Sequence, residues 1–129
     1  MPVYATLKRS IDILVRIFFK EVDVSGLENV PEKRGGIVVS WHPNGLIDPA
    51  LILSQLPRRV VFGARDGLFK WPGLGWLMRA LGTVPIYRAI DAGAGADPAA
   101  RREANRRTLA ALSREIVAGS FTALFPEGV

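Results

Sequence analysis

The sequence contains one histidine, His42, and an aspartate stands six positions later in Trp41-His42-Pro43-Asn44-Gly45-Leu46-Ile47-Asp48-Pro49. Imidazole is the side chain whose unperturbed pKa lies nearest neutrality, so a neutral base working near pH 7 would have to be His42. A carboxylate bonded to such a ring fixes its tautomer and stabilises the imidazolium formed when a substrate hydroxyl gives up its proton. Asp48 could do that work. Equally, Asp48 reads as a helix N-cap with Pro49 at the first helical position. The two roles are compatible, because a helix N-terminus favours the ionised carboxylate that an orienting partner must be. For His42 the simpler reading is a loop histidine bonded to backbone, although Pro43 holds it extended and clear of the helix.

Two more polar turns could hold a ligand. Arg88 closes the run Thr83-Val84-Pro85-Ile86-Tyr87, and its planar guanidinium suits a phosphate. A solvated charge at a strand end is the alternative. Pro126-Glu127-Gly128 could present a carboxylate and free backbone N–H groups, or be a plain turn. Neither a Walker sequence nor a dinucleotide fingerprint occurs. Cysteine is absent and histidine single, which excludes disulfide staples and thiolate- or imidazole-rich metal sites; neither a metal nor a cofactor is expected.

The surrounding elements explain how these residues would be presented. Ile37 to Ser40 is a β-branched, apolar, buried strand aimed at His42, and Pro49 to Leu56 reads as a helix stopped by Pro57. Arg59 to Ala64 and Thr83 to Tyr87 are two more strands, separated by a short helix from Gly73 to Leu81. Asp97-Pro98 starts a helix that runs to Ala118 with Leu109, Leu112 and Ile116 on one face, and Gly119 ends it. Phe121 to Phe125 is a further buried strand. Glu21 to Val24 alternates polar and apolar residues and reads as a short strand. Strands that are continuously apolar and alternate with helices predict an α/β fold: a central, mostly parallel or mixed sheet with helices on both faces. Ligand sites in such sheets gather where strands end and lead into helices, and all three polar turns occupy such positions.

An amphipathic helix from Tyr4 to Lys20 precedes this. Lys8, Arg9, Asp12, Arg16 and Lys20 gather on one side and Val3, Leu7, Ile11, Leu14, Ile17 and Phe18 on the other. It is either a surface helix packed on the core or a helix lying in a membrane interface. Its uncharged stretches are far shorter than the roughly 20 residues that cross a bilayer.

With 129 residues and a 49% apolar share the chain is one globular domain at most. Its net charge of +5 calls for an anionic partner. The arginines of the long helix are not interleaved with aromatics, which argues against nucleic acid. The last residues, Phe-Pro-Glu-Gly-Val, follow a strand with no closing element, so the domain is expected to be incomplete at its C-terminus.

Taken together, three blocks resemble the glycerolipid acyltransferase family, the glycerol-3-phosphate and lysophosphatidic-acid (1-acylglycerol-3-phosphate) acyltransferases. They are His42 to Asp48, Gly82 to Arg88 and Phe125 to Gly128, and Phe69 to Leu77 looks like the stretch between the first two. The resemblance covers about Val22 to Val129, implying a membrane-interface helix over residues 1–20 and an acyltransferase domain over 21–129. It implies that His42 is the general base on the acceptor hydroxyl and that Asp48 holds it. Arg88 would bind the acceptor's phosphate, with Glu127 and Gly128 shaping that site. The implied acyl donor is acyl-CoA or acyl-carrier protein, and the implied location is a membrane surface on its cytoplasmic face. Five residues separate His42 from Asp48 where the commonest family form has four, and Gly45 stands where a small hydroxyl residue is frequent. Both departures blur the choice of acceptor. A fourth family block is absent, in keeping with a shortened domain. The rival reading from another class is a noncatalytic lipid- or membrane-binding module.

Overall fold

The computed structural model describes residues 2–41, 47–87 and 97–125. Among the described residues the α-helices are α1 (Pro2–Phe18), α2 (Ile47–Gln55), α3 (Leu74–Ala80) and α4 (Pro98–Val117). Four strands are β1 (Gly36–Val39), β2 (Val60–Arg65), β3 (Val84–Ile86) and β4 (Phe121–Leu124). The strands form one sheet in the order β1-β4-β2-β3, and every pair is parallel. Valine, isoleucine and phenylalanine dominate these runs, as in parallel strands covered on both faces.

One face carries Val60, Phe62, Phe121 and Ala123, which form the main core with Tyr4 of α1, Leu53 of α2 and Leu81 just beyond α3. The other face meets α4: a methyl group added at Gly63 would lie near Leu112 and against Ile86. Helices therefore cover both faces at β2 and β4, as the alternation of elements implies, but β1, expected to be buried, leaves Ile37 and Val39 55% and 64% exposed on one face because α4 does not extend over it. The ends of α4 follow local chemistry. Asp97 accepts the Ala99 N–H at 3.0 Å, and Gly119 adopts φ 99°, a left-handed geometry that suits glycine beyond a helix end.

Three further expectations are corrected. Glu21 to Val24 is not a strand; Val22 and Val24 instead line a groove with Val38 of β1 and Leu51 and Ile52 of α2. Val22 is half-buried there while Val24 stays 43% exposed, so the alternation marks no paired strand. On α4 the buried residues are Thr108 and Leu112, whereas Leu109 is 57% exposed. Helix α1 also does not divide simply into a wet side and a core side. Tyr4 and Val15 are buried, with Leu7 and Ile11 packed against the core, while Leu14, Ile17 and Phe18 are 62%, 76% and 72% exposed. Lys8 leaves the charged side and donates to the carbonyls of Leu53 and Leu56 (2.9 Å to Leu56). Those are C-terminal carbonyls of α2, where a cation complements the helix dipole. Burial lowers the pKa of Lys8, with the charge of Asp12 opposing.

Tyr4 ties α1 to the sheet. Its hydroxyl donates to the Val60 carbonyl at 3.2 Å and accepts the Val60 N–H at 2.9 Å. Val60 is fully buried, so Tyr4→Phe leaves two backbone groups without partners and should cost about 1–3 kcal/mol. Burial raises the Tyr4 pKa above 10.0, against smaller lowering effects of the Val60 bond and of Arg59. A pKa raised by folding means that this contribution is whole below 10.0 and is lost as pH climbs through the folded value. Denaturant unfolding at rising alkaline pH should therefore show the gap between wild type and Tyr4→Phe closing. A gap that stays constant would contradict this assignment.

Candidate active site

Because every strand is parallel, all four carboxyl ends lie along one edge of the sheet. That edge is where ligands bind in open α/β sheets. Strand β1 leads to Ser40 and Trp41, β4 to Phe125, β2 to Asp66 and β3 to Tyr87. The Ser40 N–H donates to the Leu124 carbonyl at 3.2 Å, which carries the β1–β4 pairing one residue past β1. With strands about 4.8 Å apart, the exits of β1 and β4 are neighbours and those of β1 and β3 lie about 14 Å apart.

The expected site residues are distributed along this edge as follows. Asp48 sits half-buried in the first turn of α2, the helix that follows β1. It is thus inside the helix rather than its N-cap, because helical structure is already present at Ile47. The dipole argument survives, since the effect extends through the first turn. His42, Arg88, Glu127 and Gly128 lie outside the described residues. The chain that leads to each is described, and it ends at the same edge: at Trp41 for His42, at Tyr87 for Arg88 and at Phe125 for Glu127 and Gly128.

Several groups at this edge were not singled out from the sequence. Beneath the exits of β2 and β3 lies a cleft of about 470 Å³, lined among others by Asp66, Phe69, Lys70, Arg79 and Tyr87. Arg79 donates to the Phe69 carbonyl at 3.1 Å and lies 5.7 Å from the centre of its ring. Phe69 and Lys70 belong to the stretch Phe69 to Leu77, noted above for its resemblance to the segment between two family blocks, and that is the one signal in the sequence for this cleft. At the end of β3, Asn105 of α4 bonds to both backbone groups of Tyr87, donating at 2.7 Å and accepting at 2.8 Å. Nothing in the spacing of the arginine-rich helix marks Asn105 out.

The sequence matches the acyltransferase family model over residues 21–129. This chain belongs to the acyltransferase family. The family match takes in β1, α2, β2, α3, β3, α4 and β4, and so the whole edge just described. An uncharacterized acyltransferase of Schizosaccharomyces pombe is 33% identical over 96 residues, covering 69% of this chain and 14% of the relative. Glycerol-3-phosphate O-acyltransferase 2 of Saccharomyces cerevisiae is 33% identical over 93 residues, 62% of this chain and 12% of the relative. A chloroplastic 1-acyl-sn-glycerol-3-phosphate acyltransferase of Arabidopsis thaliana is 28% identical over 110 residues, 85% of this chain and 28% of the relative. The acyltransferase chain thus spans well under a third of these relatives' length. No solved structure matches it.

Proposed function

We propose that this acyltransferase moves a fatty acyl group from a thioester, acyl-CoA or acyl-carrier protein, to a hydroxyl of glycerol 3-phosphate or lysophosphatidic acid in phospholipid synthesis. The observation that carries this reading is the all-parallel sheet, which releases the segments leading to His42, Arg88 and Glu127 at one edge and begins the helix of Asp48 beside them. Relatives named for acylating glycerol 3-phosphate and its 1-acyl derivative support the acceptor class.

In this mechanism His42 accepts the proton of the acceptor hydroxyl as the oxygen attacks the thioester carbonyl. Asp48 steadies the imidazolium that results. The tetrahedral oxyanion collapses, the carbon–sulfur bond breaks, and the departing thiolate takes the proton back from His42. The ester oxygen is the acceptor's own, so no metal and no cofactor beyond the donor is required. Arg88 grips the phosphate of the acceptor, with Glu127 and Gly128 shaping its pocket. Lys70 and Arg79 in the nearby cleft wall add positive potential for the same anion.

The phosphate role makes a separable prediction. In the full-length enzyme Arg88→Ala should raise KM for glycerol 3-phosphate about 10- to 100-fold, the range for losing a charge-assisted hydrogen bond, with kcat little changed. Steady-state kinetics with saturating donor measures this. Loss of turnover at unchanged acceptor KM would contradict the role.

Membrane attachment follows from the same substrates. No helix among the described residues is long and apolar enough to cross a membrane. The exposed apolar residues Leu14, Ile17 and Phe18 of α1, beside exposed Arg9, Arg16 and Lys20, support a helix lying at an anionic surface. The cytoplasmic leaflet supplies that charge. This stripe also favours the second reading, a lipid-binding module without catalysis. Liposome binding together with labelled acyl transfer supports the enzyme; binding without acyl product supports the module.

A further inference from the structure

We propose that Asn105 is a positioning residue for Arg88, acting through the backbone of Tyr87. The inference rests on the phosphate-binding role proposed for Arg88. Strand β3 lies at the edge of the sheet, paired on one side with β2. Its other side would ordinarily present unpaired backbone groups. Here α4 takes the place of a neighbouring strand. Thr108 donates its hydroxyl hydrogen to the Pro85 carbonyl at 2.7 Å, and Pro85 has no N–H to satisfy. The Asn105 carboxamide accepts the Tyr87 N–H at 2.8 Å and donates to the Tyr87 carbonyl at 2.7 Å. Asn105 and Thr108 are three residues apart, hence neighbours on one side of α4.

These two contacts have different consequences. Pro85 lies inside β3, so the Thr108 bond secures an element already held by β2. Tyr87 is the first residue past β3, where a strand end frays unless something holds it. Its carbonyl belongs to the peptide unit that contains the nitrogen and Cα of Arg88, and that unit is planar. A donor fixing this carbonyl therefore fixes the plane from which Arg88 starts. An acceptor on the Tyr87 N–H fixes the preceding plane. With both held by one short side chain, the Tyr87 backbone is fixed on either side of its Cα, up to the peptide bond that leads to Arg88. A guanidinium that must meet a phosphate gains from this, because small misplacement of a binding group is costly.

The test uses the full-length enzyme, glycerol 3-phosphate as the varied acceptor, and a saturating acyl-CoA. Asn105→Ala should raise acceptor KM about tenfold, with kcat and donor KM within about twofold. In the Arg88→Ala background the same substitution should add nothing, since coupled residues are not additive. Thr108→Val, which removes the neighbouring contact with α4, should lower the melting temperature and leave acceptor KM unchanged. Should Asn105→Ala not fold, Asn105→Ser supplies the readout, because a hydroxyl is too short to span both Tyr87 groups. Unchanged acceptor KM in the Asn105 variant, or an equal rise with and without Arg88, overturns the proposal while leaving the role of Arg88 intact. If Arg88→Ala itself leaves acceptor KM unchanged, the phosphate reading fails, and the positioning role falls with it.

Discussion

In the full-length enzyme, His42→Ala should reduce turnover about 10²- to 10⁴-fold, the contribution of a positioned general base. These 129 residues supply no second imidazole, so none of them offers another side chain of the same basicity. Acceptor and donor KM should change little, because in the proposed mechanism His42 acts on the hydroxyl proton rather than on the phosphate or the acyl chain. Asp48→Asn should follow with a smaller loss, since an amide in the first turn of α2 keeps the shape and loses the charge that, in the proposed mechanism, stabilises the imidazolium. The double variant should be no worse than His42→Ala alone, as expected of residues acting as a unit. Single-turnover rates with saturating acceptor and donor measure all three. Turnover within a few-fold of wild type in His42→Ala would end the general-base reading. A retained melting temperature would show that the loss is chemical.

The strands were legible because their runs are apolar or β-branched, as burial of residues 60–62 and 121–123 demands; at β1 the same composition misleads about burial, since Ile37 and Val39 are largely exposed. The start of α4 was legible for a different reason: Asp97-Pro98 is a local device, and its hydrogen bond to Ala99 is the one its spacing implies. What could not be read was whatever depends on partners far along the chain. The order β1-β4-β2-β3 inserts the last strand between the first two, and no local pattern encodes that. Lys8 illustrates the limit at a single residue. A helical wheel groups it with the charges, yet its long stem allows the ammonium to reach the end of α2, some 45 residues on, while the apolar Leu14 and Ile17 stay outside. Asn105 is the corresponding case at the candidate site. A lone asparagine among arginines signals nothing until the end of β3 is known to lie beside it. Even so, the residue types capable of chemistry were visible at once, because acid–base and phosphate-binding work restricts the choice to very few side chains.

Phe121→Ala should be the most damaging substitution for the fold, and it separates stability from chemistry. Phe121 opens β4, the strand between β1 and β2, and is in register with Gly36 on one side and Val60 on the other. Its ring fills the space left by Gly36, where an added methyl group would come within 2.7 Å of it. On the core side it packs with Tyr4, Leu53 and Val60, and the Arg58 guanidinium lies 5.6 Å from the ring centre. Truncation removes contacts to both neighbouring strands and to α1 and α2 at once, leaving a cavity that backbone-paired strands cannot close. The expected cost is about 3–5 kcal/mol, a large share of a domain stability of about 5–15 kcal/mol. Denaturant unfolding should show the midpoint falling with little change in slope, and Phe121→Leu, which keeps part of the volume, should fall less. Activity should decline only as the folded fraction declines, with KM of the remaining folded molecules unchanged, because Phe121 stands at the opposite end of β4 from Phe125 and the segment that leads to Glu127. His42→Ala should do the reverse, leaving the midpoint alone and removing turnover. If Phe121→Ala instead shifted acceptor KM at an unchanged unfolding midpoint, the division between a core built at the amino ends of the strands and a site built at their carboxyl ends would be wrong.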